Sequence, residues 1–581
     1  MLYELEFNPT KHRSIITGCS YILTIITIFI VYSGLQQYQQ WYRRSKQKAH
    51  AVGKFNSPIL SRTSRWGRWL NHSFRIPLFS PNIDAKSLLY ILLLIVFNAV
   101  FILEIPISVY SQQRLLMVNI YYASLRCAIL GVANISLAMT LATRNSIIKL
   151  LSTKSFDEVM PLHRWHATMG LTEIAIHIFT QIYGLIPIIR TGTFFNAENG
   201  DLITGFMAAI GLLCIFLGSR EFIRRRYFEV FYISHVFGIL LFIGAGFSHQ
   251  YAVIVFVAPS VFFYFCDRII RALRTCTSPT RIIDVAVPNQ KDITQIVFTK
   301  DGHYTKAYPG QFVFVSLNDG TRLSRFVNFF NWHPFTLSEV FSRNVSEVHN
   351  HDKETTTTGV HRYSDLDSEI GKRTVVAKKE DGPLQASVHI KGLGNMTRRL
   401  HSQASNEPQR LKMRIDGPYG STATALEMNQ VVTFFEAGIG ITPSLTMFRD
   451  LVDKCAQDPL MVHTTHIYFI WVTASIELAE IFMPQLLQSV HVAYGAINPP
   501  QLHFQLYLTT RLPMGMYENP LPHCDVIQGR PKLLEIVTRI DEDHLDSSIA
   551  AQVCGPTDFM REVNNSCNAR GWRVRQETFE F

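Results

Sequence analysis

Four histidines lie in two apolar stretches at one repeated interval. HRWHATMGLTEIAIH holds His163 and His177, and HVFGILLFIGAGFSH holds His235 and His249, 14 residues apart in each case. On an α-helix, 14 steps return to within about 40° of the same face and climb about 21 Å. Two such helices side by side set His163 opposite His235 at one level and His177 opposite His249 at the other. Neutral imidazole is a common axial ligand of haem iron, so the pattern predicts two haems about 20 Å apart. Interfacial histidines also cap helix ends, but two stretches sharing both interval and direction argue against that for these four. His166 and His12 have no such counterpart and read as ordinary structural residues. Arg126, midway along another apolar stretch, needs an anionic partner, either a haem propionate or Glu173. Arg164 is a further candidate for a propionate.

Helices must carry these residues, and the chain supplies them. Seven stretches, near 14–35, 87–108, 119–141, 163–189, 202–219, 228–249 and 251–267, approach the roughly 20 apolar residues that cross a bilayer. They are confined to the first half of the 581 residues, and the remainder reads as a soluble protein. Such runs exclude a purely soluble enzyme, and a 47 % hydrophobic content excludes a disordered chain. The formal charge of +10 does not point to nucleic acid, because its Lys and Arg flank the apolar runs. Arg43, Arg44, Lys46 and Lys48 follow the first run, Arg144 and Lys149 the third, Arg220 and Arg224–Arg226 the fifth, and Arg268, Arg271 and Arg274 the seventh. By the positive-inside rule these loops, and with them the C-terminal half, are cytosolic. The nine cysteines show no CxxC spacing, so neither a disulfide framework nor a zinc site is expected.

After Arg274 short strands take over, with RIIDVAVPNQ, ITQIVFTK and AYPGQFVFVSL alternating as in an antiparallel sheet. The polar stretch from about 341 to 380 reads as a disordered insertion. LQASVHIKGLG resumes the strands, and NMTRRLHSQ reads as a short helix. From about 430 the rhythm becomes strand–loop–helix. VVTFFEAGIGITPSLTMFRDLV runs an apolar strand into Gly438-Ile439-Gly440-Ile441-Thr442-Pro443, where glycines let a pyrophosphate approach a helix N-terminus. Later strands alternate with helices, which predicts a parallel α/β sheet with Cys554-Gly555-Pro556 at its ligand-binding edge. The fold class is therefore multi-domain: an α-helical transmembrane bundle, an antiparallel β-barrel and a parallel α/β domain. The expected divisions are 1–85, a first span and basic loop; 86–274, the histidine-bearing bundle; 275–425; and 426–581.

The paired histidines, His333-Pro334-Phe335-Thr336, Asp416-Gly417-Pro418-Tyr419-Gly420, GIGITP and CGP stand in the order of the ferric reductase / NADPH oxidase superfamily. The chain resembles that superfamily over nearly its whole length, with its nearest likeness among fungal ferric/cupric metalloreductase transmembrane components and short yeast metalloreductase-like NADPH oxidases. The resemblance implies FAD on the 275–425 domain, with His333, Pro334, Phe335 and Thr336 at the isoalloxazine and ribityl chain. It puts Lys391, Gly392, Met396 and Thr397 in the pyrophosphate-binding segment and Phe581 over the flavin. For NADPH on the 426–581 domain it implies Gly438, Gly440, Ile441, Thr442 and Pro443, with Cys554, Gly555 and Pro556 beside the nicotinamide and Arg530 at the adenosine 2′-phosphate. Two residues depart from the pattern. Ala437 replaces a common glycine, and Ala474 stands where relatives often carry an arginine for the 2′-phosphate, so Arg530 carries the preference for NADPH.

The implied activity passes electrons from NADPH through FAD and two b-type haems to an acceptor across the membrane, with no protein nucleophile or general base. The acceptor is expected to be a ferric or cupric chelate, in support of metal uptake, and the alternative is O₂ reduced to superoxide. Membrane lipid is a partner and nucleic acid is not. The plasma membrane is favoured over the endoplasmic reticulum.

Overall fold

A computed structural model describes residues 9–51, 62–76, 80–110, 116–145, 156–190, 200–288, 292–300, 307–317, 332–341, 384–420, 426–457, 462–495, 499–510 and 524–577. The expected insertion at 341–380, apart from Phe341, and Phe581 lie outside these residues. The chain divides into two units. One is built from residues up to Trp41 and from Ser87–Leu273, the other from Tyr42–Lys86 and Arg274–Glu580.

The first unit is helical. Its long helices are α1 (Pro9–Ala51), α3 (Ala85–Tyr110), α4 (Leu116–Leu141), α5 (Phe156–Arg190), α6 (Gly200–Gly218), α8 (Phe228–His249) and α9 (Ala252–Thr277); the short α2 (Arg65–Leu70) belongs to the second unit and α7 (Glu221–Arg226) joins α6 to α8. Among the described residues six helices are long and apolar enough to cross a membrane. The fourth of the seven spans expected from the sequence, near 163–189, lies on a continuous helix, α5, which carries His163, Arg164, His166, Glu173 and His177. Two helix pairs repeat one construction. In α4 and α5, a Cβ added to Gly170 would come within 2.7 Å of the Gly131 carbonyl. In α6 and α8, a Cβ added to Gly238 would come within 2.6 Å of the Gly211 carbonyl. Glycine at these crossings lets the backbones touch, the small-residue packing that holds helices together where water cannot drive them.

The second unit has two lobes. Its β lobe consists of a four-stranded antiparallel sheet, β3 (Thr280–Ala286), β4 (Ile293–Lys300), β8 (Leu384–Lys391) and β7 (Glu339–Phe341), and a three-stranded one, β6 (His333–Thr336), β5 (Phe312–Leu317) and β9 (Met413–Tyr419). Helix α10 (Asn395–Asn406) follows β8. Phe298, Val315, Val388 and Ile415 fill a common core. Among the described residues the expected barrel is thus two sheets over one core.

The other lobe carries a parallel sheet ordered β13-β12-β11-β10-β14-β15. The strands are β10 (Val431–Ala437), β11 (His466–Thr473), β12 (Gln501–Leu508), β13 (Cys524–Gln528), β14 (Ile549–Cys554) and β15 (Arg573–Glu577), with helices α11 (Ile441–Gln457), α12 (Ile476–Tyr494), α13 (Leu533–Asp543) and α14 (Thr557–Ala569). Consecutive Phe434 and Phe435 are both fully buried but enter different cores, Phe434 with Phe448 and Phe469, Phe435 with Val553 and Trp572. A strand covered on both faces has no use for polar alternation, which is why VVTFF is apolar but for Thr433, whose buried hydroxyl donates to the Ala550 carbonyl at 3.2 Å.

An unexpected piece completes this lobe. Residues 62–84, assigned from sequence to a basic loop of the N-terminal region, include a hairpin, β1 (Ser73–Ile76) and β2 (Ser80–Asp84), laid against α14. Asn564 Nδ2 donates to Ser73 Oγ at 2.7 Å and Asn568 Nδ2 to the Asn71 carbonyl at 2.9 Å. Asn565 exchanges two hydrogen bonds with the Ser73 backbone.

Candidate functional site

In the first unit the four spaced histidines are arranged as two levels. The rings of His163 and His235 have centroids 6.4 Å apart. Two metal–imidazole bonds of about 2 Å, with the metal between the rings, require a separation of about 6.4 Å. The geometry fits one iron between them. Fourteen residues further along both helices, His249 lies within electrostatic reach of His177.

Each ring is oriented through Nδ1. His163 Nδ1 meets the Ala138 carbonyl at 2.7 Å and His249 Nδ1 the Asp201 carbonyl at 2.7 Å. His177 Nδ1 meets the Ser124 carbonyl at 3.2 Å, and His235 Nδ1 meets Ser219 Oγ at 3.3 Å. A carbonyl can only accept, so His163, His177 and His249 carry their proton on Nδ1 and keep the Nε2 lone pair for a ligand. Metal-binding histidines are commonly fixed in this way. The partners of His163 and His177 lie on α4; those of His235 and His249 lie at the two ends of α6. The glycine crossings between these helix pairs therefore set the ring positions. Gly205 on α6 adds a second constraint, since a Cβ there would come within 2.9 Å of the His249 ring.

His166 contrasts with all four. Its Nδ1 meets Asn134 Oδ1 and its Nε2 meets Tyr90 OH, each at 2.8 Å, so both nitrogens are engaged. It belongs to a buried polar knot centred on Asn134. Tyr21 OH donates to Asn134 Oδ1 at 2.7 Å, and Asn134 Nδ2 donates to Asn98 Oδ1 and Glu173 Oε2, both at 2.9 Å. Glu173, offered from sequence as a partner for Arg126, is thus held by Asn134; both Glu173 and Arg126 are buried.

In the β lobe, β5 brings two motifs together. On one side it pairs with His333–Thr336 and on the other with the Asp416–Tyr419 segment of β9. Tyr419 is buried, donates to Asp416 Oδ2 at 2.9 Å and packs edge-on against Phe314. Lys391 ends β8, and Gly392 leads into α10, whose first turn has no acid. Thr397 Oγ1 accepts from the Gly394 N–H at 2.9 Å and closes the turn. Met396 is buried in the core with Leu400, so only its backbone faces the turn. The sequence reading passed over Arg398, which reaches back to the Gly392 carbonyl at 3.5 Å and lends the turn a cation. A helix N-terminus with such company suits a pyrophosphate.

In the α/β lobe, Gly438–Gly440 and Cys554–Pro556 follow adjacent strands, β10 and β14, where the strand order reverses. Open parallel sheets bind ligands at such a switch point. The turns interlock: a Cβ on Gly440 would come within 2.8 Å of the Cys554 carbonyl, and one on Gly555 within 2.8 Å of Ala437 Cβ. Gly438, at φ +59°, takes the left-handed conformation, and its carbonyl accepts from Trp471 Nε1 at 3.0 Å. Ile441, Thr442 and Pro443 form the buried first turn of α11. Arg530 is exposed beyond β13, three strands away along the same sheet edge. That reach is about 14 Å, with room for an extended dinucleotide between the two. Across the two lobes Gly310 N donates to Thr446 Oγ1 at 3.1 Å, and the His389 ring packs tilted against Phe482 with centroids 4.7 Å apart.

Family comparison agrees with this geometry. Residues 127–246 match the ferric reductase like transmembrane component and residues 278–423 match an FAD-binding domain. Both matches support the resemblance of the chain to the ferric reductase / NADPH oxidase superfamily. Its relatives include human NADPH oxidase 3, 24 % identical over 63 % of this chain and 66 % of that protein. Ferric reduction oxidase 2 of Arabidopsis thaliana is 22 % identical over 59 % of this chain and 41 % of its own. The chain spans less than two thirds of the length of these relatives. Among solved structures, the flavohaem-like FAD/NAD-binding domain of nitric oxide dioxygenase from Vibrio cholerae aligns over 51 % of this chain and 96 % of its own, at 14 % identity and a TM-score of 0.31.

Proposed function

We propose that this chain is a membrane oxidoreductase that takes electrons from cytosolic NADPH and delivers them to ferric or cupric chelates on the opposite side, in support of metal uptake. The observation that carries the reading is the pair of histidine levels with oriented Nδ1 atoms, in one chain with flavin-type and nucleotide-type elements. When bound, FAD converts a hydride into single electrons that haem iron can pass on. The protein's own task is to hold and orient. His163 with His235, and His177 with His249, would hold the two haems. His333, Pro334, Phe335 and Thr336 would line the isoalloxazine, and Lys391, Gly392, the Met396 backbone and Thr397 its pyrophosphate. Gly438, Gly440 and Ile441–Pro443 would receive the nicotinamide nucleotide, with Cys554–Pro556 beside the reacting ring and Arg530 at the 2′-phosphate. In this reading residues 86–274 form the haem domain, 275–425 the FAD domain and 426–581 the NADPH domain. The membrane is the plasma membrane, with the C-terminal half cytosolic.

Superoxide production is the second reading, favoured by the NADPH oxidases among the relatives. One experiment separates the two. Purified, FAD-loaded protein is given NADPH in air, with a ferric chelate in one sample and a superoxide-sensitive probe in another. Rapid ferrous formation that superoxide dismutase leaves unchanged supports the metalloreductase. Superoxide formed as fast as NADPH is lost, with iron reduced only through it, replaces that reading by an oxidase. Loss of the Soret band from folded protein would remove the haem assignment itself.

A further inference from the structure

Glu436 is the penultimate residue of β10, two before Gly438, and it is fully buried. Its register partners are Trp471 on β11 and Cys554 on β14. Ser444, in the first turns of α11, donates its hydroxyl to Glu436 Oε1. The other carboxyl oxygen, Oε2, is buried with no hydrogen-bond partner among the described residues. Among the described residues, the titratable groups that face it bring no compensating cation. From β14 comes the Cys554 thiol, itself pushed up by burial and by the nearby Glu436 and Glu577 carboxyls. From β15 comes Glu577, whose Oε1 is taken by Arg575 at 2.6 Å. Trp471 spends its N–H on Gly438, and α11 offers only Ser444. Burial therefore pushes the Glu436 carboxyl well above the usual range, the Ser444 hydrogen bond opposes this, and the Glu577 charge adds to it.

We propose that Glu436 is a positioning residue for the nicotinamide nucleotide: as a neutral acid it fastens the start of α11 to the end of β10 through Ser444 and leaves the positive end of that helix to the nucleotide's phosphate. A helix N-terminus presents roughly half a positive charge and a few unpaired N–H groups, enough to favour an anion. A carboxylate under the first turns would compete for the same field and repel the incoming phosphate. A neutral carboxyl keeps the tie and removes the competitor. The inference rests on the reading of Gly438–Pro443 as the nucleotide-binding turn.

The test compares the full-length, cofactor-loaded wild type with E436Q, E436A and S444A. NADPH oxidation is followed as KM and kcat, with thermal unfolding alongside, from the usual carboxylate range upward in pH. The native state keeps a proton that the unfolded chain releases in the usual carboxylate range, so wild-type stability falls as pH rises above that range. Where Glu436 ionises in the folded protein, the wild-type KM for NADPH should rise about fivefold while kcat stays nearly level. E436Q, an uncharged amide of the same shape, should hold the low-pH KM throughout and lose the pH-dependent part of the melting curve. E436A and S444A, which sever the tie, should raise KM at every pH. Coincident KM and melting profiles for wild type and E436Q overturn the proposal while leaving the nucleotide turn in place. Absence of any NADPH binding by the wild type overturns both.

Discussion

His163 turns its Nδ1 proton to the Ala138 carbonyl at 2.7 Å, and its ring centre stands 6.4 Å from that of His235. The first distance fixes the tautomer, and the second leaves room for one metal ion between two Nε2 atoms. Removal of either ring should empty that level and leave the other. Folded His163→Ala or His235→Ala protein is expected to carry about one haem per chain where the wild type carries about two, by pyridine haemochromogen assay. His166→Ala should keep both haems, because His166 spends both nitrogens on Asn134 and Tyr90. A haem count unchanged in His163→Ala, or lowered in His166→Ala, would sink the assignment.

Gly205 makes the same argument from the other level. A methyl group there would meet the His249 ring at 2.9 Å, and a larger side chain would push the ring off its bond to the Asp201 carbonyl. Gly205→Leu is expected to reduce electron delivery to an external chelate at least about tenfold while sparing NADPH-to-dye reduction on the cytosolic side. Parallel loss of both activities would show a folding defect instead.

Asn134 has a different task. Its amide oxygen accepts from Tyr21 and His166, and its nitrogen donates to Asn98 and Glu173, so one side chain satisfies four partners on other helices. Asn134→Leu would strand buried polar groups at a cost of about 1–3 kcal/mol each, moderated where they find one another. Detergent-solubilised Asn134→Leu protein should lose its Soret absorbance at a clearly lower temperature than the wild type. Asn134→Asp, which retains the acceptor, should fall between them.

The histidine levels were legible because a helix repeats its faces, so identical intervals in HRWHATMGLTEIAIH and HVFGILLFIGAGFSH survive in one dimension. The four acceptors were not. Three are backbone carbonyls on a neighbouring helix, and a carbonyl leaves no mark in the residue type. Likewise, VVTFFEAGIGITP announces its strand, turn and helix through a largely apolar run and glycine, whereas nothing in the sequence marks Glu436 as buried until the strand order shows both faces covered. The docking of residues 62–84 was wholly invisible, since Asn71 and Ser73 meet Asn564 and Asn568 across roughly 490 residues of chain, and loop-closure entropy sets no rule about which distant segment returns.

That docking makes the last prediction. Arg62 Nη1 pairs with Asp541 at 2.8 Å, its Nη2 reaches the His544 carbonyl at 2.9 Å, and Nη1 also donates to the Arg570 carbonyl at 3.3 Å. These acceptors lie at the C-terminal ends of α13 and α14, where a cation is favoured by the helix dipole. Thr63 N then donates to the Gly571 carbonyl at 2.8 Å, and Gly571 sits at φ +79° with Thr63 O only 3.3 Å from where a Cβ would be. Arg62→Ala removes a partly buried, several-fold bonded cation and should cost the second unit about 2–3 kcal/mol. Gly571→Val should destabilise it as well, through both its φ and its contact with Thr63. Arg65, exposed on the same strap, is the control, and Arg65→Ala should change little. The measurement is the temperature at which FAD fluorescence is released from the full-length protein. If Arg62→Ala and Arg65→Ala melt together, the strap is not a structural part of the α/β lobe. If Arg62→Ala alone melts early, the residues just before α3 are as much a part of that lobe as its own last strand.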